Sequence, residues 1–204
     1  MTAMKLLIVD DHPVVREGLA SLLQQADPGA SVLQAADAAT ALALAADHAD
    51  LDVLFLDLIL PGEQGVSAIR EFGRRHPGLP VIVLSSSEAP QDVRSALAAG
   101  AMGYVPKSAP PSTLLGALRL VLTGEIYVPL LMAGDGPAPP RPRLTERQQV
   151  VLAFVCEGAS NKDIARRLGM SDKTVKAHLT AIMRALAVTN RTQAARAAAE
   201  AGLI

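Results

Sequence analysis

The chain has 204 residues, half of them hydrophobic, which is enough for an ordinary core in one or two domains. A single cysteine, Cys156, excludes an internal disulfide and any cysteine-rich zinc module. The longest weakly polar stretch falls far short of the roughly 18 apolar residues that a membrane span needs, and the apolar start runs into two aspartates. We therefore expect a cytoplasmic protein without a signal peptide or a membrane partner.

Charge is divided unevenly along the chain. Residues 1–140 carry 8 basic and 15 acidic side chains, a net charge of −7, whereas residues 141–204 carry 11 and 5, a net charge of +6. This division predicts two domains, and the basic one makes nucleic acid a candidate partner. Aromatic residues, on which single-stranded bases would stack, are scarce, so duplex DNA is the better candidate.

A proline- and glycine-rich segment, GDGPAPPRPR, marks the domain boundary, because it cannot continue a helix or a central strand. We predict a first domain over residues 1–126, a linker over 127–142 and a second domain over 143–204.

Apolar strands alternate with helical patterns in the first domain. In chain order, the predicted strands are KLLIVD, ASVLQAAD, DVLFLD, PVIVLSS and GYVPK, and each is followed by a helical segment. Pro13 begins the first helix, and we interpret His12 as a cap of the loop before it. Five such units predict an α/β fold, a five-stranded parallel doubly wound sheet with helices on both faces.

The second domain is predicted to be a smaller all-α domain of four helices. Two of them, SNKDIARRLG and MSDKTVKAHLTAIMRALAV, are joined by a tight turn, with Ser160 and Ser171 as their N-caps. Two helices in this arrangement, with cations near the start of the second, are typical of a helix-turn-helix.

Chemically active side chains follow the predicted strands. Asp10 and Asp11 end the first strand, Asp57 the third, Ser85 the fourth, and the fifth runs into Lys107. The carboxyl ends of parallel strands share one edge of a sheet, where function is usually located. Three converging carboxylates repel one another, and a divalent cation relieves this repulsion. Oxygen ligands without His or Cys favour Mg²⁺.

These residues, with Pro61, Gly62 and Gly65 in DLILPGEQG, resemble the receiver domain of two-component response regulators. The resemblance implies that Asp57 accepts a phosphoryl group from a sensor histidine kinase. It implies a Mg²⁺ site formed by Asp10, Asp11, Asp57 and the backbone carbonyl of Ile59. It also assigns phosphoryl-binding and switch roles to Ser85, Tyr104 and Lys107, with Tyr104 turning inward on phosphorylation.

The second domain resembles the LuxR-type helix-turn-helix of NarL/FixJ-type regulators over nearly its whole length, in SNKDIA, TVK and the following residues. The early part of a recognition helix contacts base edges, and cations beside it contact phosphates. The predicted base contacts are Lys176, Ala177 and Thr180, and the predicted phosphate contacts include Lys162, Lys173 and Thr174.

Together the two resemblances predict a DNA-binding transcription regulator rather than an enzyme. Phosphorylation would release the recognition helix from the receiver and favour a homodimer on operator DNA, with RNA polymerase left open as a partner. One alternative is a phosphorylation-independent regulator with an atypical receiver. A phosphatase would need a carboxylate where Ile59 stands, and an adaptor role for the helical domain is the third alternative.

Overall fold

We describe a computed structural model of the chain. The structure describes residues 4–61, 63–76, 79–122, 124–129, 144, 146–170, 172–186, 188 and 190–203. None of the helices in these ranges is long and apolar enough to cross a membrane.

The first domain is built on five parallel strands in the order β2-β1-β3-β6-β7, which confirms the predicted fold. The strands are β1 (Lys5–Val9), β2 (Ser31–Ala35), β3 (Val53–Asp57), β6 (Val81–Ser85) and β7 (Gly103–Pro106). The helices are α1 (Pro13–Ala26), α2 (Ala38–Asp47), α3 (Gly65–Arg75), α4 (Pro90–Ala98) and α5 (Pro111–Leu122).

Both faces of the sheet are covered, because alternate residues of each strand point into separate cores. In β3, Leu54 and Leu56 pack in one core with α2, α3 and α4, while Val53 and Phe55 pack in the other with α1 and α5. Every residue of β3 is buried, including Asp57 at its carboxyl end. The apolar strands thus carry a carboxylate to the edge of the sheet.

A short hairpin that the sequence analysis did not predict follows Asp57. It consists of β4 (Ile59–Leu60) and β5 (Glu63–Gln64), which pair antiparallel. Gly65 closes the hairpin by donating its N–H to the Leu58 carbonyl at 3.1 Å. A Cβ atom at this position would lie 2.1 Å from that carbonyl oxygen, so only glycine fits.

After α5, residues Gly124–Pro129 form a segment that we call the strap. Gly124 has a φ of 81°, which ends the helix, and the chain then runs parallel to β7, pairing Tyr127 with Gly103. Tyr127 packs against one core of the sheet and Val128 against the other. The first residues of the predicted linker therefore lie along the sheet edge.

The described part of the second domain has four helices, as predicted: α6 (Glu146–Cys156), α7 (Asn161–Leu168), α8 (Asp172–Ala185) and α9 (Arg191–Glu200). The Ser160 side chain caps α7 by accepting from the Asp163 N–H, which confirms that prediction. Ser171, the predicted cap of α8, lies outside the described residues, as do most residues of the predicted linker.

The two domains touch through α5 and α8 and at the amino ends of the strands. Asp52, just before β3, accepts the Lys5 N–H at 3.0 Å, and its other carboxylate oxygen lies 3.5 Å from the hydroxyl of Thr174 in α8. Gly169, in the turn before α8, lies against Ala49. Because Asp57 is five residues beyond Asp52, this contact is roughly 16 Å from the carboxyl edge.

We predict that Gly65→Ala destabilises the protein by about 1–3 kcal/mol, because the added methyl group forces the backbone of Leu58 to move. Gly73→Ala in the same helix is the control. Nothing lies within 4 Å of a Cβ at Gly73, so alanine should stabilise the helix by about 0.5–1 kcal/mol. Urea denaturation measures both values, and equal unfolding free energies for the two variants would contradict this role of Gly65.

Candidate functional site

Lys107 joins two of the carboxylates at the carboxyl edge of the sheet. Its Nζ lies 2.8 Å from Asp10 Oδ2 and 2.7 Å from Asp57 Oδ2. Asp10 and Asp57 are almost completely buried, whereas Lys107 retains 22 % of its side-chain exposure. The charges converge because β1, β3 and β7 end at the same edge, as the sequence predicted.

Neighbouring carboxylates stabilise the charged form of Lys107. Burial lowers the pKa of Lys107, but hydrogen bonds to Asp10 and Asp57 outweigh burial, and the pKa is raised above its ordinary value of 10.5. A raised folded-state pKa means that this stabilisation is fully present below about pH 10.5 and is lost as the pH rises through the raised value. The ion pair therefore persists at neutral pH.

Asp11 and His12 complete an acidic cluster. One ligand atom from each of Asp10, Asp11, His12 and Asp57 lies within 4.8 Å of the other three. The buried Asp11 Oδ1 accepts no hydrogen bond from the described residues, although His12 Nδ1 lies 2.7 Å away. A cation could satisfy this oxygen, and three carboxylates suit Mg²⁺, so the residues fit the predicted metal.

The interpretation of His12 as a capping side chain was wrong. His12 occupies the N-cap position of α1, but its side chain makes no capping hydrogen bond. Its ring instead lies beside Asp10 and Asp11, and its backbone N–H donates to Asp10 Oδ1 at 2.9 Å. The two acidic side chains offer a stronger partner than the helix N–H groups. The acidic cluster is thus not exclusively an oxygen site.

The second oxygen of Asp57 faces the start of the hairpin. Asp57 Oδ1 accepts the Ile59 N–H at 3.1 Å, while the Ile59 side chain is 61 % exposed. Ile59, Leu60 and Pro61 form one wall of an open cleft of about 230 Å³ above Asp57 and Lys107. Ligation of a metal by the Ile59 carbonyl stays a prediction.

Ser85 and Tyr104 lie beneath this cleft and are both buried. Ser85 Oγ accepts the Ser87 N–H at 3.0 Å, and the Tyr104 hydroxyl donates to the Ser87 carbonyl at 2.8 Å. Ser86 lines the cleft instead of Ser85. Tyr104 was predicted to turn inward on phosphorylation, but it is already inside the unmodified chain.

The predicted DNA contacts differ in their accessibility. Lys162, Lys176 and Thr180 are exposed, whereas Thr174 retains only 4 % exposure, and its hydroxyl lies 3.5 Å from Asp52 of the first domain. Lys173 and Ala177 belong to α8, but their side chains lie outside the described residues. The described arrangement therefore leaves part of the candidate surface open and buries Thr174 in the early part of α8.

Comparison with known proteins identifies both domains. Residues 6–119 match the family described as "Response regulator receiver domain", and residues 142–198 match "Bacterial regulatory proteins, luxR family". The chain belongs to the response regulators that carry a LuxR-type DNA-binding domain, and it is a two-component transcription regulator.

Several relatives match across both domains. A "Glycerol metabolism activator" of Pseudomonas putida is 36 % identical and covers 93 % of this chain and 92 % of its own length. The nitrate/nitrite response regulator NarP of Escherichia coli is also 36 % identical, with 95 % and 93 % covered. A structure of two RcsB dimers bound to two parallel DNAs covers 97 % and 98 % at 28 % identity, with a TM-score of 0.58.

We predict that Lys107→Met lowers the unfolding free energy at neutral pH by about 3 kcal/mol, because it leaves buried carboxylates without their cation. Excess MgCl₂ should restore part of this loss, and urea denaturation measures both effects.

Lys5→Met is the matched control at the opposite edge of the same sheet, where Lys5 Nζ pairs with the exposed Asp50 at 3.0 Å. An exposed pair contributes at most about 1 kcal/mol, and Mg²⁺ should not change it. Equal losses for the two variants, or a Lys107→Met loss that Mg²⁺ leaves unchanged, would contradict the electrostatic account of the site.

Proposed function

We propose that Asp57 accepts a phosphoryl group from a sensor histidine kinase, and that this modification switches dimerisation and DNA binding. The observation that carries the proposal is the position of Lys107 Nζ between Asp10 and Asp57, beside Asp11, in an open cleft. This cluster combines a carboxylate nucleophile, a fixed cation and free space for a phosphoryl group.

Asp57 is the nucleophile in this reaction. A bond forms between one of its carboxylate oxygens and phosphorus, while the bond from phosphorus to the donor breaks, so the product is an acyl phosphate. Lys107 is already in place to pair with a phosphoryl oxygen, which stabilises charge without reorganisation. Asp10, Asp11, Asp57 and the Ile59 carbonyl would hold Mg²⁺, which neutralises negative charge on the phosphoryl oxygens.

The described domain arrangement represents the inactive state. A helix-turn-helix places the early residues of its second helix in the major groove. Thr174 occupies that part of α8 and is buried against Asp52, so the first domain and a DNA duplex compete for the same surface. Phosphorylation needs to favour the separated arrangement by only a few kcal/mol to change its population substantially.

Pairing of two activated chains completes the proposal. Ala194 and Ala198 of α9 are buried within their own domain, and other residues of that helix remain exposed. A face of α9 is thus open to a second copy. The related RcsB protein binds DNA as dimers, which supports a homodimer on paired half-sites here. RNA polymerase stays an open candidate as a further partner of the DNA-bound dimer.

Acetyl phosphate with Mg²⁺ should add one phosphoryl group to the wild-type chain and none to Asp57→Asn, as measured by intact mass. The control is Asp52→Asn, because Asp52 is a buried aspartate just before the same strand but lies at the opposite edge of the sheet. This control should still gain one phosphoryl group. Modification of Asp57→Asn would refute the assignment. A wild type that stays unmodified would favour the phosphorylation-independent alternative.

The predicted DNA contacts can be tested on a duplex selected in vitro with the beryllofluoride-treated protein. Lys162→Ala should reduce the slope of log affinity against log salt concentration by about 1, because it removes one phosphate contact. Lys176→Ala should weaken discrimination between the selected and a scrambled duplex by about 1–3 kcal/mol.

Arg94→Ala is the control for these variants, since Arg94 is an exposed cation on α4 of the first domain. It should leave affinity and salt slope unchanged. Unchanged binding by both lysine variants would favour the adaptor role of the helical domain.

A further inference from the structure

The proposed switch has to act across the receiver. Asp57 lies at the carboxyl edge of the sheet, whereas the contact between Asp52 and Thr174 lies at the amino edge. A change at the phosphorylated residue therefore reaches the second domain only through intervening elements, either through α5, which contacts α8, or through the connecting chain. The chain itself connects the two domains. The point at which it leaves the receiver therefore determines which structural changes in the receiver can reach the linker.

The strap brings that point to the phosphorylation site. Because it runs parallel to β7, the chain travels toward the carboxyl edge before it continues into the linker. Tyr127 and Pro129 line an open cleft there, together with Glu88, Pro106 and Ser108. In sequence, Lys107 lies between Pro106 and Ser108. The receiver thus ends at the same edge of the sheet as Asp57, and not at the edge that contacts the second domain.

Backbone hydrogen bonds fix the strap to the strand that carries Tyr104. The Tyr127 N–H donates to the Met102 carbonyl at 3.0 Å, and the Tyr104 N–H donates to the Tyr127 carbonyl at 3.1 Å. Tyr127 and Val128 pack on opposite faces of the sheet, as residues of a sixth strand would. The strap consequently follows any displacement of β7.

Hydrogen bonds connect Ser85, the neighbour of the cleft-lining Ser86, to the strap. Ser85 Oγ accepts from Ser87, the Ser87 carbonyl accepts from the Tyr104 hydroxyl, and the Tyr104 N–H donates to Tyr127. A phosphoryl oxygen that accepted the Ser85 O–H would reorient the hydroxyl that also accepts the Ser87 N–H. The loop, Tyr104 and the strap would then have to readjust together.

We propose that the strap is the output element of the receiver, coupling a change at Ser85 and Tyr104 to the origin of the linker through the Tyr127 backbone. This inference rests on the proposed phosphorylation of Asp57. It assigns a positioning role to residues that sequence analysis assigned to the linker or to the end of the receiver.

The composition of the chain allows a direct test, because Tyr104 and Tyr127 are its only tyrosines. Selective ¹⁵N-tyrosine labelling gives two backbone amide signals, both from N–H groups that hold the strap, and Tyr127→Phe assigns them. With Mg²⁺, beryllofluoride should shift both signals in the full chain and neither signal in Asp57→Asn. A shift of the Tyr104 signal alone would overturn the strap proposal.

A pair of proline variants tests whether the attachment transmits the signal. Tyr127→Pro removes the N–H that bonds to Met102, whereas Ile126→Pro removes an N–H with no backbone partner among the described residues. Ile126 is exposed, and proline is common two residues beyond a helix-ending glycine. Ile126→Pro is therefore the matched control.

Spin labels on Cys156, which is exposed, and on Ala43→Cys report the separation of the domains. Beryllofluoride should shift the distance distribution in the reference chain and in Ile126→Pro, and this shift should be lost in Tyr127→Pro. The closed arrangement should remain in that variant, because the Asp52–Thr174 contact does not involve the strap.

Fluorine NMR distinguishes failure of the strap proposal from failure of the proposed function, because it detects beryllofluoride bound at the acidic cluster. Bound beryllofluoride with a normal distance shift in Tyr127→Pro would overturn the strap proposal and leave the proposed function intact. A reference chain that binds no beryllofluoride would refute the proposed function and this inference with it. Should Tyr127→Pro itself bind none, the two tyrosine signals of the unmutated chain decide the question.

Discussion

The ion pair of Lys107 with Asp10 and Asp57 is the interaction on which the rest of the receiver depends. Buried carboxylates at the end of an apolar strand are costly unless they are paired. Here the cation comes from the loop after β7, so the charge balance ties together the ends of β1, β3 and β7. The pairing holds the unmodified site ready and gives the phosphoryl group a cation to bind when it arrives.

The same geometry makes the receiver responsive to modification. Asp57 Oδ2 pairs with Lys107 and Oδ1 accepts from Ile59, so a new bond at either oxygen disturbs an existing partner. Ser85 and Tyr104 both hydrogen-bond to the backbone of Ser87, and the backbone N–H of Tyr104 donates to Tyr127 in the strap. A change of charge at one carboxylate is thereby connected to a chain segment that leads to the other domain.

Much of this organisation follows from the sequence. Five apolar strands with polar ends specify a parallel sheet and bring Asp10, Asp57 and Lys107 to one edge, because side chains that follow parallel strands must meet there. The sequence also located the helix-turn-helix and its Ser160 cap. These features depend on local patterns, which a single sequence displays directly.

Features that depend on side-chain positions in the folded chain, or on contacts between distant segments, were not predictable. The His12 ring could contact either the helix N–H groups or two carboxylates. It contacts the carboxylates because of the folded positions of Asp10 and Asp11. Thr174 looks like a phosphate contact in sequence, but in the fold it is buried and faces Asp52, 122 residues away. The strap is attached to the sheet by backbone hydrogen bonds, and these leave no side-chain pattern in the sequence.

Sedimentation velocity of the full chain with Mg²⁺, with and without beryllofluoride, tests the central claim most directly. We expect beryllofluoride to change the sedimentation profile of the wild type, through opening of the two domains and formation of a dimer, while Asp57→Asn sediments identically under both conditions. A wild-type profile that beryllofluoride leaves unchanged, with the ligand shown to be bound, would contradict a switch centred on Asp57 and Lys107.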